Sequence, residues 1–164
     1  MKVYFASDHT GFAMKNSLTD YVFALGYEVE DCGAKTLDIN DDYPVIILEA
    51  VKKVAQDISE GMSTSRAIVF GGSGQGEAMV ANRIKGIRAA VYYGVPQRMQ
   101  EDSTGHLLDI LTSSREHNDA NVLSLGSRFI SLEESKEVVK NWLKAAFSGE
   151  ERHGRRIRQI DEIT

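Results

Sequence analysis

The chain has 164 residues with a net charge of −5, so it is long enough to bury one sizeable core and too acidic for general nucleic-acid binding. Its hydrophobic content of 42% excludes a disordered chain. The single cysteine, Cys32, excludes an intrachain disulfide or a cysteine metal cluster and suits a reducing compartment. No apolar run approaches the roughly eighteen residues of a membrane span. The N-terminal MKVYFASDH does not read as a signal peptide. A single cytoplasmic domain spanning 1–164, without membrane or nucleic-acid partners, is the expectation.

Strand and helix signals alternate along the chain. Val3 to Ala6 reads as a strand, and Phe12, Leu18, Tyr21, Val22 and Leu25 give a helix that Gly26 ends. Tyr27 to Glu30 is a half-exposed strand, and Asp38 to Asp42 an acidic loop. From Pro44 to about Ser59 apolar residues recur at helical spacing. Ala67 to Phe70 reads as a buried strand, followed by Gly71-Gly72-Ser73-Gly74-Gln75-Gly76 and a helix opening at Glu77. Ile87 to Val91 and Asn121 to Leu125 are further strands. Ser131 caps a helix running to about Phe147, and a short helix begins at Glu151. This repetition predicts an α/β fold: three Rossmann-like layers, with a five-stranded parallel sheet and helices on both faces.

Ligands on such sheets lie beyond the carboxyl ends of the strands, near a topological switch point. Three polar clusters fall there: Ser7-Asp8-His9, the Gly-rich loop, and Gly126-Ser127-Arg128. The loop can aim bare backbone N–H groups at one anion. It is not a dinucleotide fingerprint, because Gly72 and Gly74 would need a third glycine where Glu77 stands. It is not a phosphate loop for nucleotides, because Gly76 is followed by Glu77 rather than lysine. A carboxylate beside backbone donors suits removal of a proton from carbon while the donors hold the resulting oxyanion. The plainer reading is a tight turn with a glutamate favoured by the helix dipole.

The other clusters also carry two readings. Asp8 or Thr10 could cap the first helix or meet substrate. Arg115 to Asn121 could be a solvated turn or a set of groups that exchange protons and bind hydroxyls. Arg152, Arg155, Arg156 and Arg158 could be a basic face, although Arg152 and Arg156, four apart, can also grip a phosphate from one helix face.

The segments SDHTGF (7–12), DYP (42–44), GGSGQGE (71–77), VANR (80–83), GIRAA (86–90), REHNDANVLSLGSR (115–128) and RHGRR (152–156) occur in the order found in type B ribose-5-phosphate isomerases. The chain resembles that family, which includes the galactose-6-phosphate isomerase subunits, over nearly its whole length. The resemblance implies a homodimer or tetramer with active sites at the subunit interface. It also implies interconversion of an aldose phosphate and a ketose phosphate; the expected route is a cis-enediolate, a proton shuttle that needs no metal or other cofactor. By resemblance, Asp8, His9 and Tyr43 meet substrate, and Gly72, Ser73, Gly74, Gln75 and Gly76 supply anion-binding amides. His117 opens the sugar ring with Asp8, Asn118 binds a hydroxyl, and Arg128 holds phosphate with Arg152 and Arg156 of the arm at 151–164, reaching from the partner.

Many members carry a cysteine as base where this chain has Gly71; another branch resembles this chain in using the loop glutamate. Glu77 therefore inherits the role of carbon base, the residue that the loop itself singled out. The stretch 93–114 is longer than expected and is read as an inserted loop, with an added helical turn at Leu107, Leu108, Ile110 and Leu111. His106 within it reads as a surface histidine. The substrate stays open between ribose 5-phosphate, allose or galactose 6-phosphate and a four-carbon sugar phosphate. A non-catalytic sugar-phosphate binder is the alternative outside the enzymes.

Overall fold

A computed structural model describes residues 1–95, 98, 100, 101, 105 and 107–163. Thirteen elements follow one another among them: β1 (Lys2–Ser7), α1 (Phe12–Ala24), β2 (Glu28–Asp31), α2 (Tyr43–Ser59), β3 (Arg66–Gly71), α3 (Gln75–Ala81), β4 (Ala89–Tyr92), β5 (Gln100–Glu101), β6 (Leu107–Leu108), α4 (Ile110–Glu116), β7 (Val122–Gly126), α5 (Leu132–Lys144) and α6 (Glu151–Asp161).

Five strands form one parallel sheet in the order β2-β1-β3-β7-β4. The alternation of side chains along each strand splits the interior into two cores. Val3, Phe5, Ile68, Phe70, Leu123 and Leu125 face α1, α4 and α5, where Trp142 and Leu18 are fully buried. Tyr4, Ala6, Ala67, Val69 and Val122 face α2 and α3 with Ile47, Val51, Val54 and Ala81. Central strands buried on both faces read as continuous apolar runs, which is why β1 and β3 stood out in the sequence.

After β1 the chain winds outward to β2, then crosses back over β1 to β3. The carboxyl ends of β1 and β3 are thus a topological switch point. The loops after β1, β3 and β7 meet there. Ser127 donates its backbone N–H to Gly71 O at 2.9 Å, and its hydroxyl lies 2.8 Å from the same oxygen. Arg128 N–H donates to Gly72 O at 3.2 Å, and the Ser124 hydroxyl to Gly74 O at 2.6 Å. With its carbonyls tied back into β7 and the turn after it, the Gly-rich loop is fixed on the body of the sheet.

Several expectations are corrected. Leu107 and Leu108 are not a helical turn: they pair antiparallel with Gln100 and Glu101, and the helix starts at Ile110, capped by Asp109. α5 stops at Lys144 rather than near Phe147, and the strand expected at 87–91 lies at 89–92. α3 begins at Gln75, two residues before Glu77. His106 lies outside the described residues. No helix among the described residues is long and apolar enough to cross a membrane.

Candidate active site

A cleft of about 440 Å³ opens at the switch point, lined by Asp8, His9, Thr10, Tyr43, Gly72, Ser73, Gly76, Glu77, Arg128 and Phe129. Glu77 comes from the first turn of α3 and is 3% exposed. Its Oε2 is buried and has no hydrogen-bond partner among the described residues. The space its carboxyl fills is the space that Gly71 leaves empty. A Cβ built on Gly71 would stand 1.9 Å from Glu77 Oε1 and 2.1 Å from its Cδ. The carboxyl thus occupies the position that a side chain at residue 71 would take. Burial holds Glu77 above the usual carboxylate range; its own N–H pulls it down, and the charge of Asp8 pushes it up. Burial therefore outweighs the pull of the backbone N–H. A carboxylate that is desolvated and poorly paired is a stronger base than one in water.

Asp8 directly follows β1 and uses one oxygen for structure. Its Oδ1 accepts from Thr10 N–H at 2.9 Å, the Thr10 hydroxyl at 2.5 Å and Gly11 N–H at 3.2 Å. Neither Asp8 nor Thr10 is the helix cap, since Gly11 holds that position. Oδ2 of Asp8 accepts no hydrogen bond among the described residues, and Asp8 lines the cleft. Tyr43, in the first turn of α2, lays its ring against Gly76, where a Cβ would come within 2.7 Å of the ring and its hydroxyl. Gly74 has φ of +74°, which turns the loop into α3 without strain. The Ser73 hydroxyl accepts from Gln75 N–H at 3.3 Å. The Gln75 side chain is exposed and does not line the cleft, and neither does Gly74. Arg128 covers Gly72, with its guanidinium carbon 3.2 Å from a Cβ built there.

His117, Asn118, Arg152 and Arg156 do not line this cleft; they gather around α6 instead. His117 stacks on His153 with ring centroids 4.5 Å apart and planes 9° from parallel. His153 is buried, and burial lowers its basicity, with the nearby imidazole and arginines acting the same way. Arg152 pairs with Glu150, Arg155 and Arg158 with Glu151; Arg156 is exposed and has no ion pair among the described residues.

Within 115–121 the structure sorts structural from available groups. Arg115 is 1% exposed and donates to Asp119 Oδ1 at 2.7 Å and Ala120 O at 2.6 Å, while lying over the Trp142 ring. Asn121 binds Arg88 N–H and Gly86 O. Asp119 also pairs with Arg88. The side chains of His117, stacked on His153, and of Asn118 form no hydrogen bond or ion pair among the described residues. The sequence reading missed Phe129, whose apolar ring is 63% exposed at the cleft, and His153, hidden inside an arginine run. It also missed Asp41, which holds His9 from another loop; the only signal was the acidic composition of 38–42. No group of three histidine, cysteine, aspartate or glutamate side chains among the described residues is placed to hold a metal ion.

Known proteins are similar to this chain over nearly its whole length. Ribose-5-phosphate isomerase B of Mycobacterium tuberculosis is 33% identical over 157 residues, covering 96% of this chain and 86% of that protein. The enzyme of the same name from Escherichia coli is 34% identical over 162 residues, covering 99% and 95%. The crystal structure of ribose-5-phosphate isomerase B from Mycoplasma genitalium with bound ribulose-5-phosphate superposes with a TM-score of 0.82 at 33% identity, over 99% of this chain and 95% of that one. Residues 3–160 match the family described as ribose/galactose isomerase, and on a match of this length the chain belongs to that family.

Proposed function

We propose that this chain is an aldose-ketose isomerase that interconverts ribose 5-phosphate and ribulose 5-phosphate in the cytoplasm. The observation that carries the reading is the Glu77 carboxyl, buried and half unpartnered, at the wall of a cleft that also holds backbone donors and a cationic end. The relatives named above support the choice of a five-carbon sugar, and one of them holds ribulose 5-phosphate.

The proposed reaction needs only proton movements. His117 and Asp8 exchange protons on the hemiacetal oxygens and open the ring. Glu77 then takes the C2 proton; the C–H electron pair becomes the C1–C2 double bond, and negative charge collects on O1. The loop amides and the Ser73 hydroxyl stabilise that charge, and each such donor is worth on the order of 10²–10³ in rate. O1 gains a proton as the O2 hydroxyl gives one up, with Asp8 Oδ2 in reach of the exchange. Protonated Glu77 returns its proton to C1, which leaves the ketone at C2. Gly72 and Gly76 keep the loop close to substrate, Tyr43 lines the pocket, Gln75 contributes through its backbone, and Asn118 binds a hydroxyl.

His117, Asn118, Arg152 and Arg156 form a second half-site on the face that carries α6. In the proposal a partner subunit brings its copy of this half-site over the cleft. The phosphate then lies between Arg128 with His9 and the partner's arginine pair. The experiment that tests the function is incubation of the purified protein with four-, five- and six-carbon aldose phosphates while ketose is measured. Ribose 5-phosphate is the expected best substrate. A clear preference for a four- or six-carbon sugar overturns the assignment, and no turnover of any of them overturns the isomerase reading.

A further inference from the structure

His9 and Asp41 are 32 residues apart in sequence and meet at the rim of the cleft. Asp41 Oδ1 lies 2.7 Å from His9 Nδ1 and also accepts from the His9 backbone N–H at 3.3 Å. Its side chain is 9% exposed, and its other oxygen, Oδ2, is buried with no hydrogen-bond partner among the described residues. Enclosing a carboxylate with one oxygen unpartnered is costly unless a positive charge faces the other. The only positive group bonded to it among the described residues is the His9 ring.

Three charged groups from three loops surround that ring: Asp41 from the loop before α2, Asp8 from the loop after β1, and Arg128 from the turn after β7. The hydrogen bond to Asp41 raises the basicity of His9 most; burial opposes it, the charges of Asp8 and Asp41 add to it, and Arg128 opposes it. With Nδ1 committed to Asp41, Nε2 is the nitrogen left for a ligand. A neutral ring held in this way presents a lone pair at Nε2, which repels an anion. A charged ring presents an N–H donor.

We propose that Asp41 is a positioning residue of this site: it fixes His9 through Nδ1 so that Nε2–H faces the anionic end of the substrate beside Arg128. Its consequence for catalysis rests on the isomerase reading; its geometry does not. The cleft is then polarised, with Glu77 and Asp8 toward the reacting carbons and His9 with Arg128 toward the charged tail. Because His9 titrates above its ordinary value of 6.5, its contribution to anion binding persists through that pH. It is lost as pH rises through the higher value in the folded protein. Removing the charge of Asp41 moves that loss to lower pH. A carboxylate that merely tethered its loop to β1 would leave the position of the titration unchanged.

The test is a titration of the histidine Cε1–H signals by NMR in the full-length protein and in Asp41→Asn, with His9 assigned by its absence in His9→Gln. kcat and KM for ribose 5-phosphate are measured across the same pH range. The His9 proton affinity is expected to fall on the order of ten-fold in Asp41→Asn. At pH values between the His9 titration of the variant and that of the wild type, KM should rise on the order of ten-fold with kcat nearly unchanged, since a charged hydrogen bond to substrate is lost. Asp41→Glu should restore much of both. An unchanged His9 titration in Asp41→Asn, or a wild-type His9 that titrates like a free imidazole, overturns the inference. The second result needs no variant to fold. If the wild-type protein turns over no sugar phosphate, the isomerase reading fails by itself, and the titration still decides the role of Asp41.

Discussion

Replacing Gly71 with alanine probes the geometry of the base without touching the base. The new Cβ would stand 1.9 Å from Glu77 Oε1, 2.1 Å from Cδ and 2.5 Å from Oε2. No backbone atom is among those neighbours, so the fold can absorb the methyl by moving the end of one flexible side chain. To reach ordinary contact the nearest oxygen must retreat by about 1.5 Å. Displacements of about 1 Å in a reacting group cost roughly 10²-fold in rate. That corresponds to about 2.7 kcal/mol on the barrier. Gly71→Ala should therefore keep its melting temperature and its KM while kcat falls on the order of 100-fold. Steady-state kinetics with ribose 5-phosphate and a thermal melt on the same sample decide it. A folded Gly71→Ala with wild-type kcat would refute the claim that the carboxyl must sit where a side chain at residue 71 would lie.

Further consequences follow from the same structure. Arg156, exposed and without an ion pair among the described residues, is the arginine of α6 most available to a phosphate. Arg156→Ala should raise KM on the order of ten- to a hundred-fold, as expected when a charged hydrogen bond to substrate is lost, with a smaller effect on kcat. If Glu77 and His117 act together only across two subunits, inactive Glu77→Gln and inactive His117→Asn should complement when refolded together in equal amounts. Random pairing leaves one intact site in each mixed dimer, so about a quarter of wild-type activity should return; activity no higher than that of the separate variants would place both residues in one protomer's site. Glu77 also bears on stability. Its folded pKa lies above the reference 4.5, so the folded chain binds the proton more tightly, and stability falls as pH rises from 4.5 through the folded value. Above that window Glu77→Gln should melt roughly 3 °C higher than wild type, for a gain on the order of 1 kcal/mol. The gap should close at lower pH, and an unchanged melt throughout would contradict the cost assigned to burying this carboxyl.

What the sequence revealed depended on how local the signal was. β1 and β3 were legible because apolar runs bounded by polar residues identify strands buried on both faces. The order of the sheet was not legible: β7 inserts between β3 and β4, although β4 comes earlier in the chain. Leu107, Leu108, Ile110 and Leu111 satisfy helical spacing as well as a short strand followed by a helix, and periodicity over so few residues cannot separate the two. Glu77 was visible because its partners, the loop glycines, are its neighbours in sequence. Asp41 and His153 were not, because each acquires its role by meeting a residue far away in the chain. Arg115 looked available beside His117, yet it is fully enclosed by Asp119, Ala120 and Trp142; composition records a charge and not its burial.

The central claim is that the Glu77 carboxylate carries the proton between C2 and C1, and exchange with solvent deuterium observes that transfer directly. Wild-type protein incubated with ribose 5-phosphate in deuterated buffer should place deuterium on carbon in the recovered sugars. Glu77→Gln should bind the same sugar phosphate and place none. Deuterium entering carbon at the wild-type rate in Glu77→Gln would assign the proton transfer to another residue.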